Sequence, residues 1–196
     1  MSLALFLTLS RILVGPVFLF VYLYSRELGI SLAWLPYILL FLASLSELSD
    51  MFDGVLARKH NKVTDLGKLL DPMADSIFRL SVLLAFTQGV IQLPILLVCV
   101  FFYRDTIIST LRALCALRGF ALAARLSGKI KAVIQATVVF FILILMIPYS
   151  IGCLEIVLLR QMSFYAVLTA AIYTLYSGAE YVFANRTYIK KALKLS

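Results

Sequence analysis

The chain has 196 residues, 63% of them hydrophobic and only 14% charged, with a mean hydropathy of +1.01. That is too apolar for a soluble domain and too short for two membrane domains. The net charge of +8 points to nucleic acid in a soluble protein, but here the cations gather in alternate loops between apolar runs, and no nucleic-acid partner is expected.

Taken in chain order, apolar runs fall at about Leu5 to Tyr24, Leu32 to Leu48, Ser76 to Gln88, Leu93 to Ala116, Ala132 to Ile147 and Met162 to Phe183. They predict an all-α, polytopic integral membrane protein: one domain over residues 1–196, with about six transmembrane helices around a cytoplasm-facing polar cavity. The first run lacks a basic segment before it and a small-residue cleavage site after it, so it reads as a retained helix rather than a signal peptide. The third is too short alone. It reaches spanning length only if its helix begins near Gly67 and carries Asp71 and Asp75 to the membrane boundary, open to an aqueous cavity. Asp65 and the single histidine, His60, read as solvated loop residues.

Arg58, Lys59, Lys62 and Lys68 lie in the second loop, Arg112, Arg118, Arg125, Lys129 and Lys131 in and around the fourth, and Arg186, Lys190, Lys191 and Lys194 in the tail. The intervening loops carry only Arg26 and Arg160, each with a nearby glutamate. Positive loops stay inside, which puts both termini on the cytoplasmic side and leaves Tyr22, Tyr24, Trp34 and Tyr37 to mark the outer interface. Cys99, Cys115 and Cys153 are isolated and odd in number, and read as small buried hydrophobes.

The chemistry concentrates between residues 50 and 75. Asp50 and Asp53 are three apart, and Gly67, Asp71 and Asp75 step by four, so on two helices each set faces one way. Acids at membrane depth are costly and mark function. Four opposed carboxylates repel unless hard divalent cations neutralise them, and a two-metal clamp suits displacement at phosphorus. Gly54 and Ala57 permit close approach of a ligand or helix, and Arg58 offers a planar fork for phosphate.

Asp-x2-Asp-Gly-x2-Ala-Arg-x8-Gly-x3-Asp-x3-Asp, complete here from Asp50 to Asp75, resembles the signature of the CDP-alcohol phosphotransferases. The resemblance implies two magnesium ions, replaceable by manganese, on Asp50, Asp53, Asp71 and Asp75, with Asp75 also the base that deprotonates the acceptor hydroxyl. It implies a CDP-linked donor held by Thr8, Gly54, Ala57, Arg58 and Gly67. Further segments narrow the acceptor: Leu7-Thr8-Leu-Ser-Arg11 leading to Pro16, Arg104 to Arg112, Gly128-Lys129-Ile-Lys131, and Ser177-Gly178-Ala-Glu180-Tyr181 are similar to phosphatidylglycerophosphate synthases.

By that likeness the substrates are CDP-diacylglycerol and glycerol 3-phosphate. The acceptor's phosphate falls to Arg104, Arg112, Lys129 and Lys131, and the setting is a homodimer among the lipids of a bacterial inner membrane. The chemistry agrees, because a dianionic acceptor needs a basic pocket where serine does not. Three positions depart from the family pattern: Ser76 stands where lysine is common, with Arg79 one turn on to restore the charge; Asp105 stands where glutamate is usual; and an Asn-Pro near the N-terminus is missing. Glu47, one turn before Asp50, supports either the metal ligands or the helix packing. The same chemistry on inositol phosphate, serine or a phospholipid stays open. An aspartate-rich prenyltransferase has no need of Gly54, Ala57, Arg58 and Gly67, and a cation channel would distribute its acids along a pore.

Overall fold

The computed structural model describes residues 3–60, 65–119, 122 and 125–193, with side chains at 11–49, 73–119, 122 and 125–191. Among these residues there are seven helices and no strand: α1 (Leu3–Leu23), α2 (Leu35–His60), α3 (Asp65–Ala85), α4 (Ile95–Leu117), α5 (Leu126–Ser150), α6 (Ile156–Ala184) and α7 (Arg186–Leu193). The first six follow the six apolar runs; α7 falls in what the sequence suggested was a basic tail. α3 begins at Asp65, close to the predicted start near Gly67, so Asp65 opens a helix instead of lying in a loop. An acid there complements the positive end of the helix dipole. His60 likewise closes α2.

α5 and α6 are long and apolar enough to cross a membrane, and α1 and α2 hold shorter apolar stretches, Arg11–Leu23 and Leu35–Ser49. α4 carries Arg104, Asp105 and Arg112 within its length, so composition alone does not mark it as a span.

Two compact units form: Met1–Leu93 with Val139–Ser163, and Pro94–Val138 with Phe164–Ser196. In the first, α1 packs most extensively on α3 and then on α2. Gly15 allows the closest approach, since a Cβ there would lie 3.0 Å from Ser81 Oγ and 3.3 Å from Phe78 Cα. Phe18 sits edge-on to Phe78 and Phe86, with ring centroids 6.3 and 6.2 Å away, and such T-shaped contacts add to simple burial. Tyr24, Trp34 and Tyr37 are exposed as expected of an interface, but Tyr22 is buried. Its hydroxyl donates to the Gln88 carbonyl at 3.1 Å and accepts from the Ile91 amide at 3.3 Å. Its phase on α1 turns it onto α3 and the following loop.

In the second unit the buried face of α4 runs Val98, Phe101, Ile108, Cys115. α7 packs against α4, with Ile189 on Cys115, Leu111 and Leu122. All three cysteines are free; Cys115 is buried as expected, Cys99 is half-buried, and Cys153 is exposed, because it lies in the turn between α5 and α6.

Candidate active site

α2 carries Asp50, Asp53, Gly54, Ala57 and Arg58, and α3 carries Gly67, Asp71 and Asp75, so the eight signature positions sit on two continuous helices. Thr8 lies on α1. Of these only Asp75 has a described side chain; the other eight residues' side chains lie outside the described residues. Among the described side chains, no three or more of His, Cys, Asp and Glu gather to hold a metal ion. Four carboxylates spaced for one face of each helix are nonetheless hard oxygen donors, and suit a divalent cation of magnesium type.

Asp75 is 23% exposed and accepts from the Arg11 guanidinium, which is only 1% exposed. A guanidinium that deep needs an anion, because an uncompensated buried charge is far more costly than a paired one. Arg11 was visible in the sequence only as part of a resembling segment; the helical contact of α1 with α3 gives it a role. Arg79, the residue expected to restore charge near Asp75, lies 3.7 Å from Glu47. Any metal or acceptor hydroxyl approaching Asp75 must therefore share its carboxylate with Arg11.

In the second unit, Arg104 and Asp105 occupy the buried face of α4, within one turn of both Phe101 and Ile108. Lys131 Nζ reaches both oxygens of Asp105 at 2.8 Å, and Arg104 Nη1 reaches one of them at 3.0 Å. Arg104 Nη2 donates to Ser177 Oγ at 2.8 Å. Gly178 admits this arginine, since a Cβ there would lie 3.1 Å from its Cγ, and Gly128 faces it, with a Cβ there in ordinary contact 3.7 Å from its Nη2. Glu180 accepts from Arg125 Nε at 2.6 Å and from Ser127.

The four cations assigned to the acceptor phosphate thus differ in setting. Lys131 is buried and shares a carboxylate with Arg104, Arg104 and Arg112 are half-buried on α4, and Lys129 is exposed. Asp105 and Ser177 hold Arg104 and Lys131 in place, while Glu180 takes Arg125, and their sequence signal was weak: Asp105 registered only as a departure from a pattern. Gln135, Thr174 and Tyr181 are also buried at core-face positions, and went unnoticed or unassigned because one polar residue in an apolar run is easily taken for packing.

The sequence profile of CDP-alcohol phosphatidyltransferases matches residues 1–183. The chain belongs to the CDP-alcohol phosphatidyltransferase family. It is 30% identical over 185 residues to the CDP-diacylglycerol–glycerol-3-phosphate 3-phosphatidyltransferase of Rickettsia typhi (strain ATCC VR-144 / Wilmington), covering 93% of this chain and 96% of that one. With the enzyme of the same name from Bacillus subtilis (strain 168) it shares 31% identity over 187 residues, 91% of this chain and 92% of the other. A shorter match of 81 residues to the Aquifex aeolicus (strain VF5) enzyme of that name, 41% of this chain and 40% of the other, is 42% identical. As a CDP-alcohol phosphatidyltransferase it is a metal-using transferase, and its two long apolar helices fit a membrane protein.

Proposed function

We propose that this CDP-alcohol phosphatidyltransferase moves the phosphatidyl group of CDP-diacylglycerol onto glycerol 3-phosphate, forming phosphatidylglycerophosphate and CMP. The observation that carries this is similarity over nine-tenths of the chain to enzymes named for that reaction. The signature positions on α2 and α3 support it, as does the buried basic cluster of α4 and α5.

In the transfer, the acceptor hydroxyl oxygen bonds to the lipid-linked phosphorus while the bond from that phosphorus to the CMP oxygen breaks. The hydroxyl proton passes to Asp75, and CMP leaves with the bond's electron pair. Asp50, Asp53, Asp71 and Asp75 hold two magnesium ions, which neutralise the diphosphate and stabilise the leaving oxygen when bound. Gly54, Ala57, Arg58, Gly67 and Thr8 hold the CDP portion. Arg104, Arg112, Lys129 and Lys131 receive the acceptor phosphate, where guanidinium and ammonium groups form charge-assisted hydrogen bonds.

Arg11 positions the Asp75 carboxylate between these tasks. The topology that accompanies this function has six spans, with the active site and both termini on the cytoplasmic face of a bacterial inner membrane, in a homodimer. The test is CMP release from CDP-diacylglycerol by purified protein, with and without magnesium, against a panel of acceptors. Glycerol 3-phosphate should support turnover that EDTA abolishes. Turnover with serine or inositol phosphate and none with glycerol 3-phosphate rejects the acceptor.

A further inference from the structure

Gln135 is 2% exposed and neither atom of its amide finds a hydrogen-bond partner among the described residues; Thr174 is 1% exposed and its hydroxyl finds none either. Buried polar groups are normally satisfied, so two such side chains call for an explanation. Nearby hydroxyls show how easily a helix satisfies its own: Ser163, Thr137 and Thr169 each donate to a carbonyl one turn back, at 2.7, 2.9 and 2.8 Å. Thr174 does not.

Their register places them together. Gln135 lies one turn beyond Lys131 on the face of α5 that Gly128 presents to Arg104, and Thr174 lies one turn before Ser177 and Gly178 on the face of α6 that also meets Arg104. The start of α5 meets the end of α6 through Arg125, Ser127 and Glu180, so the two helices run antiparallel there. One turn on along α5 and one turn back along α6 therefore reach the same level, next to the charged layer of Arg104, Asp105 and Lys131.

We propose that Gln135 and Thr174 form the floor of the acceptor site and recognise the hydroxyl groups of a polyol phosphate, while the charged layer above takes its phosphate. This rests on the acceptor function proposed above and adds which residues select the acceptor's alcohol end. An amide and an alcohol offer donors and acceptors without charge, which matches hydroxyls that must both give and receive hydrogen bonds. The layer above sets Arg104 and Lys131 against the Asp105 carboxylate, and the buried Arg104 Nε has no hydrogen-bond acceptor among the described residues.

The experiment compares glycerol 3-phosphate with 3-hydroxypropyl phosphate, which keeps the reacting hydroxyl and lacks the secondary one. A site that hydrogen-bonds the missing hydroxyl should make the wild-type enzyme prefer glycerol 3-phosphate by roughly 100-fold in kcat/KM. Gln135→Leu and Thr174→Val should each lower kcat/KM for glycerol 3-phosphate about tenfold or more through KM. Both should leave the KM for CDP-diacylglycerol and kcat/KM for 3-hydroxypropyl phosphate unchanged, so that the preference collapses. Both should also keep or raise Tm, because each removes a polar group that has no partner without ligand. Variants that retain the wild-type preference, lose activity equally on both acceptors, or lose Tm overturn the inference. A wild-type enzyme that uses neither acceptor overturns the function on which it rests, an outcome read before any variant is made.

Discussion

Asp105 is the hinge of the buried charge network, and replacing it by asparagine tests that network almost isosterically. Lys131, Asp105 and Arg104 have side chains 5%, 10% and 13% exposed, so water relieves little of any imbalance. Asp105→Asn takes the carboxylate away from both cations, and removing one partner of a buried ion pair costs about 3–5 kcal/mol. Lys131→Met is milder. It leaves Asp105 with Arg104, a balanced pair, and removes hydrogen bonds to a charged group, about 1.5–3 kcal/mol. The separation of about 2 kcal/mol corresponds to roughly a thirtyfold difference in the folding equilibrium.

Cys115 is a suitable reporter, being fully buried in the same unit: its reaction with a thiol-specific dye during heating in detergent follows unfolding of that unit, against the constant background of the exposed Cys153. Cys99→Ala together with Cys153→Ser supplies the clean baseline. Asp105→Asn should unfold at the lowest temperature of the series, and adding Lys131→Met to it should restore part of the loss. If Lys131→Met proves as damaging as Asp105→Asn, or neither loses more than about 1 kcal/mol, the carboxylate is not what holds the two cations.

Arg11→Met should destabilise the first unit by about 2–4 kcal/mol, less than a wholly buried pair because Asp75 is 23% exposed; a thermal scan of the variant alone and with Asp75→Asn should show less than additive losses. Gly15→Val should cost about 1–3 kcal/mol by forcing α1 off Phe78 and Ser81, and Gly15→Ala with Ser81→Ala should recover most of it. Asp75→Asn should abolish CMP release while retaining binding of CDP-diacylglycerol and metal, whereas Asp50→Asn or Asp71→Asn should weaken metal-dependent donor binding as well; the reverse pattern exchanges their roles.

Helix positions were legible because apolar runs and polar breaks mark them directly, and the run after Ser76 needed extra length that α3 supplies by starting at Asp65. The signature was legible because its spacing is that of two helical faces. Phase within a run was harder to read. Lys129 and Lys131 look alike as loop-proximal cations, yet two residues turn a helix by more than half a circle, and one is exposed while the other is buried on Asp105. Tyr22 and Tyr24 divide in the same way. Pairs distant along the chain were not legible at all: nothing local in α1 says that Arg11 will meet Asp75, or nothing in α4 that Arg104 will meet Ser177. α7 was hidden because its lysines read as a tail, although Ile189 anchors it to Cys115.

The meeting of Arg11 with Asp75 has a consequence for synthesis. The two residues are 64 positions apart, so at roughly 5–20 residues per second the ribosome takes about 3–13 s to supply the acid after the base. On the six-span topology proposed above, a helix with a guanidinium near its middle has to be accommodated during that interval at a cost on the order of 2.5–3.5 kcal/mol. On that topology the first helix would wait at the membrane surface or in the insertion machinery until the third arrives, and the two would enter as a neutral hairpin-like unit around the α2 that joins them. The commitment of this enzyme to its membrane would then fall within its translation, at the codon for the residue proposed as its base.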